Sequence, residues 1–104
     1  MKILSSVFAA LLGAAALPAC AYPDKAVQYI IPFAPGGESD ITARMQAQVF
    51  AQKYKQQMVV INRPGAGGGL VWSQLNSMPA DGYTVAGVNL PHIFLQPLEG
   101  NVNY

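Results

Sequence analysis

The chain has 104 residues, of which 52% are hydrophobic and 11% charged, and its formal net charge at pH 7 is +1. This balance provides neither the basic patch that a nucleic-acid partner requires nor a polybasic stretch for a membrane surface. One histidine and one cysteine, without a carboxylate cluster at ligand spacing, argue against a metal site.

The first 21 residues have the features of an export signal. Lys2 precedes an apolar run, Ile3 to Leu17, that is shorter than a membrane-spanning helix. Ala19 and Ala21 then fit the small-residue pattern of a cleavage site. We therefore expect a signal peptide over residues 1–21 and a mature, periplasmic chain over residues 22–104.

Cys20 allows a second interpretation of this segment. Residues 17–20 resemble a bacterial lipobox, in which the cysteine is lipidated and becomes the first residue of an anchored protein. Cleavage after Ala21 would instead remove Cys20 and leave no cysteine for a disulfide. Both alternatives place the mature chain outside the cytoplasm, and the sequence leaves the choice between them open.

The first predicted elements of the mature chain are a strand, a glycine turn and a helix. The β-branched, apolar run Val27–Ile31 predicts a buried strand. Residues 41–56 lack glycine and proline and predict a helix, with Ser39 or Asp40 as its N-cap. The apolar residues of this helix fall on two faces. One face carries Ile41, Met45 and Val49, and the other carries Ala43, Ala47, Phe50 and Tyr54.

The same alternation continues to the end of the chain. The sequence predicts a strand over 58–61, a helix over 70–77, a strand over 83–88 and a turn of helix within 93–98. This order indicates an α/β fold, with a parallel β-α-β-α-β sheet and right-handed crossovers. Because a parallel sheet needs cover on both faces, we expect the front part of a larger α/β protein.

Two glycine-rich turns, residues 32–40 and 62–69, each follow a strand and precede a helix. Glycine lets backbone N–H groups approach a ligand, and both turns lie where an open α/β sheet binds its ligands. The pair therefore predicts a cradle for an anion, although glycine also simply permits tight connections.

The turns lack the motifs of nucleotide-binding and hydrolytic sites. Leu70 replaces the third glycine of a dinucleotide-binding pattern, and neither turn carries a Walker A sequence. No G-x-S-x-G nucleophile elbow is present. We therefore expect a binding protein that is not an enzyme and has no cofactor.

Several segments resemble the start of the Bug family, the extracytoplasmic solute receptors of the tripartite tricarboxylate transporter type (TctC-like). The resemblance is carried in register by Tyr22–Lys25, Pro32–Gly37 with Asp40, Asn62–Gly68 and Pro79–Thr84. It implies a two-lobed, type II periplasmic binding fold that closes on a small carboxylated solute. Residues 22–104 would then be the N-terminal part of the first lobe, truncated and with an incomplete site.

The resemblance also implies the site residues. In that family the loop after the first strand holds a ligand carboxylate through backbone N–H groups and bridging waters. Here this loop is Phe33 to Asp40, in which Phe33 would pack against the ligand and Asp40 would cap the helix or order a polar group. The implied ligand-binding residues are Phe33, Ala34, Pro35, Gly36, Gly37, Ser39, Asp40, Gly65, Ala66, Gly67 and Gly68.

Two residues depart from the family's usual pattern. Glu38 stands in the first loop where a small neutral residue is usual, so that it either repels an anionic ligand or faces solvent. Trp72 stands near the start of the second predicted helix, where it either fills space or narrows the cleft. The implied partners are a small carboxylate and membrane transporter subunits or a sensor, for a protein expected to be a monomer. The alternative is an exported or lipid-anchored interaction module without a small ligand.

Overall fold

The computed structural model describes residues 21–100 and 102–104. The expected signal segment before Ala21, including Cys20, lies outside the described residues. The described strands are β1 (Val27–Ile31), β2 (Met58–Asn62) and β3 (Thr84–Ala86). The described helices are α1 (Glu38–Tyr54), a short 3-10 helix (Ala66–Gly68), α2 (Gly69–Leu75) and α3 (His92–Leu98). Within this part of the chain, no helix combines the length and apolar character needed to cross a membrane.

The sheet is parallel throughout, with β1 between β2 and β3. Ile31 lies opposite Asn62, and Ile30 lies opposite Ala86. The predicted α/β fold with a parallel β-α-β-α-β sheet is therefore confirmed. Because β1 and β2 run in the same direction and end in register, both glycine-rich turns leave the sheet at the same edge.

Helix α1 begins earlier than the sequence predicts. Its N-cap is Gly37, which has extended backbone angles and whose carbonyl accepts the Ile41 N–H at 3.0 Å. The prediction of Ser39 or Asp40 as N-cap is wrong, because both residues already lie in the first helical turn. At the other end, Lys55 adopts the left-handed conformation and donates its N–H to the Ala51 carbonyl, so the helix stops at Tyr54.

The two apolar faces of α1 have different surroundings. Ala43 is buried, and Phe50 is half-buried on the same face. The other face is open, with Ile41 53%, Met45 58% and Val49 63% exposed. The described part of the chain therefore covers one of the two faces that the sequence pattern distinguishes.

Trp72 lies at the centre of the buried core together with Ile30 and Val71. Its ring meets Phe33 and Tyr104 edge-on, with centroid distances of 6.4 and 5.9 Å. Since only 3% of its surface is exposed, Trp72 fills space in the core.

Strand β3 is shorter than predicted, and Pro32 explains where it ends. Gly87 still donates its N–H to the Ile30 carbonyl at 2.9 Å. In this register the next donor to the Gly87 carbonyl would be residue 32, and proline has no N–H. The indole Nε1 of Trp72 donates to that carbonyl instead, at 2.9 Å.

Candidate ligand site at the carboxyl edge of the sheet

Asn62, the last residue of β2, ties the two glycine-rich loops together. Its Nδ2 donates to the Phe33 carbonyl in the first loop at 3.2 Å and to Asp40 Oδ1 at 3.0 Å. The N–H of Arg63, which opens the second loop, donates to the Ile31 carbonyl at 2.9 Å. The two loops are therefore held side by side by hydrogen bonds at the ends of β1 and β2.

Asp40 is buried and holds the first loop against α1. Its Oδ2 accepts a hydrogen bond from the Gly36 N–H at 2.8 Å. In a capping box, the side chain of the third helical residue likewise reaches back to a backbone N–H at the helix start. Arg44, one turn along α1, donates from Nε to Oδ2 at 3.2 Å and lies 3.0 Å from Oδ1 through Nη2. Both carboxylate oxygens are therefore engaged by the chain itself.

These contacts lower the pKa of the Asp40 carboxyl group. The hydrogen bond from Arg44, followed by that from the Gly36 N–H, lowers the pKa of Asp40 to about 2 from 3.8. Arg44 also donates through Nη2 to Asn62 Oδ1 at 3.2 Å, which closes the network. Asp40 is thus a charged anchor for the loop at any pH near neutrality.

Sequence reasoning missed the parts that Arg44 and Asn62 take in this network. The spacing of four residues between Asp40 and Arg44 on one helix is a recognised ion-pair signal and would have indicated the role of Arg44. Asn62 gives no comparable local signal, because its partners Phe33 and Asp40 are far from it in sequence.

The N-terminus of α1 is open at the first loop. The N-cap Gly37 makes no side-chain capping bond, and among the described residues no side chain accepts a hydrogen bond from the first-turn N–H groups, which also have no intrahelical partner. Gly36 has a φ of +81°, and a Cβ built there would meet nothing within 4 Å. At Gly37 the nearest atom would be the Ala34 carbonyl oxygen, at 3.5 Å. This loop therefore presents unpaired donors and accessible space.

The glycines of the second loop are packed against side chains of the chain itself. A Cβ at Gly65 would lie 2.8 Å from Leu70 Cδ2, and one at Gly68 would lie 2.7 Å from Trp72 Cη2. Gln96 of α3 donates through Nε2 to the carbonyls of Ala66 at 3.0 Å and Gly67 at 2.9 Å. Close internal packing thus accounts for glycine in this loop without a ligand.

A cleft of about 210 Å³ lies beside the N-terminus of α1, between β1 and the segment after β3. Ser39 lines it, whereas Ala34, Pro35, Gly36 and Gly37 lie exposed in the first loop. Phe33 is half-buried and packs on Trp72. The cleft is lined by Tyr29, Ile31, Pro32, Glu38, Ser39, Thr42, Gln46, Gly87, Val88 and Asn89.

A larger groove of about 730 Å³ runs along α1 and is different in chemistry. Its lining is mostly apolar and includes Met45, Val49 and Phe50, with Lys53 as the only charged side chain. Such a surface does not suit a carboxylate, which needs hydrogen-bond donors. Elsewhere in the described ranges, no group of three or more His, Cys, Asp or Glu side chains is placed to hold a metal ion.

Comparison with known proteins identifies relatives among periplasmic solute-binding proteins. The chain is 41% identical to protein BugT of Bordetella pertussis over 80 residues, which are 76% of this chain and 24% of BugT. No protein-family model matches the sequence. The chain spans about a quarter of the length of the curated relatives that it matches.

Solved structures give the same result. A TctC solute-binding protein from Polaromonas superposes with a TM-score of 0.72 and 29% identity, over 80% of this chain and 28% of that protein. A Rhodopseudomonas palustris protein solved with adipate gives a TM-score of 0.60 and 37% identity, over 62% of this chain and 22% of that protein. MatC from the same organism, solved with bound malate, gives a TM-score of 0.58 and 32% identity, again over 62% of this chain and 22% of that protein.

Over the part compared, the chain is therefore similar in sequence and in fold to periplasmic solute-binding proteins. Within that class, the expected resemblance to the Bug/TctC-like family is confirmed.

Proposed function

We propose that this chain binds a small carboxylate in the periplasm, and that the open N-terminus of α1 holds the carboxylate group. The observation that carries the proposal is the unpaired first turn of α1 beside the polar cleft at the carboxyl edge of the sheet. A helix N-terminus offers several N–H donors and a favourable potential for an anion. The relatives solved with adipate and malate support a carboxylate as the ligand.

The first loop contributes most of the proposed contacts. The backbone N–H groups of Gly37, Glu38 and Ser39 and the Ser39 hydroxyl donate to the carboxylate, with Phe33, Ala34, Pro35 and Gly36 shaping the loop. Asp40 positions the loop through Gly36 and Arg44. The residues that line the cleft do not include Gly65, Ala66, Gly67 or Gly68, so the proposed contacts are those of the first loop. Binding of this kind makes and breaks no covalent bond, so the proposal includes no enzymatic step.

The proposal extends to the whole protein. Residues 22–104 form the N-terminal part of one lobe of a longer receptor, which delivers its solute to a tripartite tricarboxylate-type transporter or to a sensor. The short share of the relatives' length that the chain spans supports this organisation. The intact mass of the native protein from the periplasmic fraction tests it, since a mass matching residues 22–104 alone would contradict a longer receptor.

The binding proposal is tested by substitutions at Glu38, the first residue of α1. Proline is favoured at the first helical position, and the extended conformation of Gly37 suits the residue before a proline. Glu38→Pro therefore removes one N–H donor while keeping the helix. Glu38→Gln is the matched control, because it removes the same charge but keeps the N–H.

Binding is measured by titration with malate at millimolar concentration, with ligand-observed NMR at low ionic strength as the readout. We expect Glu38→Pro to bind malate about tenfold more weakly than Glu38→Gln, because the two variants lack the same charge and differ by one charge-assisted hydrogen bond. Glu38→Gln should bind malate at least as well as the wild type. Equal binding by both variants, or no binding by Glu38→Gln, would refute the proposal. Complete indifference to carboxylates would instead favour the exported interaction module.

A further inference from the structure

The cleft beside α1 contains a single charged side chain, and that charge is negative. Among the lining residues, Glu38 is the only one that is charged at neutral pH, and the other polar groups are neutral hydroxyls and amides. Arg44, which follows on α1, is already bonded to Asp40 and Asn62. Nothing among the cleft's lining residues therefore offsets a second negative charge on a ligand.

The position of Glu38 determines which ligand charge it meets. It is the first residue of α1, so its own N–H is one of the donors proposed to hold the ligand carboxylate. The rest of a ligand lying in the cleft would then extend past the Glu38 side chain. Because Glu38 lines the cleft, its carboxylate would repel a second carboxylate on that ligand and attract an ammonium group.

We infer that Glu38 makes this site selective for a zwitterion, a ligand with one carboxylate and one ammonium group, over a dicarboxylate. The inference rests on the proposed function and names the class of substrate for that same site. It sets this chain apart from the relatives solved with adipate and malate, whose ligands are both dicarboxylates. Glu38 acts as the specificity-determining residue, while the N–H groups of α1 supply the shared affinity for the carboxylate.

The test compares 4-aminobutyrate with glutarate, because the two differ in having an ammonium or a carboxylate at one end of the same short chain. Butyrate, which has neither group at that end, is the reference. Affinities are measured on the full chain by NMR titration at low ionic strength, where exposed charges act most strongly. Glu38→Gln removes the charge, and Glu99→Gln removes an exposed charge outside the cleft as a matched control.

The wild type should bind 4-aminobutyrate about fivefold more tightly than butyrate, and it should bind glutarate about fivefold more weakly than butyrate. Effects of this size are expected for a partly exposed charge. Glu38→Gln should abolish this order, and Glu99→Gln should keep it. If Glu38→Gln leaves the order unchanged, the inference is overturned while the proposed function stands. If none of the three ligands binds, both fall together.

Discussion

Replacing Trp72 by phenylalanine is predicted to destabilise the fold at the point where the two loops and β3 meet. The change keeps an aromatic ring facing Phe33 and Tyr104 but removes the N–H that donates to the Gly87 carbonyl at 2.9 Å. Pro32 has no N–H with which to replace this donor. The carbonyl would therefore lose its only protein partner in the described structure.

The expected loss follows from two contributions. A lost hydrogen bond to a partly buried carbonyl costs about 1 kcal/mol. The missing part of the indole, at a site only 3% exposed, leaves a small cavity that costs about 1–2 kcal/mol more. The sum, about 2–3 kcal/mol, is a large fraction of the stability of a small domain, which is about 5–15 kcal/mol.

Urea unfolding measures this loss directly. The signal must be far-UV circular dichroism, because Trp72 is the only tryptophan in the chain. With a slope near 1 kcal/mol/M, the midpoint should fall by roughly 2–3 M. Ser73→Ala, at an exposed neighbouring position of α2, is the control and should stay within about 0.5 kcal/mol of the wild type. A Trp72→Phe variant as stable as this control would refute the reasoning.

Further predictions concern the network at Asp40 and the two kinds of glycine. Because the pKa of Asp40 is lowered to about 2 from 3.8, its charge stabilises the first loop above pH 4, and this stabilisation is lost as the pH falls towards 2. Hydrogen exchange should show this loss as weaker protection of the Gly36 amide at low pH. In the Asp40→Asn variant, the same amide should already exchange fast at pH 5. Protection of this amide that does not depend on pH would contradict the network. Gly68→Ala should cost about 2–4 kcal/mol, from backbone strain at φ +99° and a Cβ 2.7 Å from Trp72. Gly36→Ala, at φ +81° in open space, should cost only about 1–2 kcal/mol in the same urea titration. Equal losses in the two variants would show that internal packing does not distinguish the second loop from the first.

The sheet and the position of the two turns were predictable because the signals are local and repeated. Each of the first two strands is a short β-branched run, and each is followed within five residues by a Pro-Gly pair, Pro35-Gly36 or Pro64-Gly65. Parallel order then follows from the alternation with helices, and it brings both turns to one edge. The register of Ile31 opposite Asn62 confirms that inference.

The helix start and the contrast between the loops were not predictable, because contacts distant in sequence decide them. Ser39 and Asp40 are good N-cap residues, but Asn62 and Arg44 draw the Asp40 carboxylate into a network that leaves Gly37 at the helix start. Likewise, the sequence shows two glycine-rich turns of equal promise. Only the packing of Gln96 and Trp72 shows that the second is filled by the chain itself.

The most direct test of the central claim is a map of backbone amide shifts in a ¹H–¹⁵N spectrum as butyrate, which carries a single carboxylate, is added. The claim is that the first loop and the N-terminus of α1 hold the carboxylate. It predicts that the largest shifts fall on the amides of Gly37, Glu38 and Ser39. Shifts confined to the second loop or to the apolar groove along α1 would contradict it, as would a spectrum that butyrate leaves unchanged.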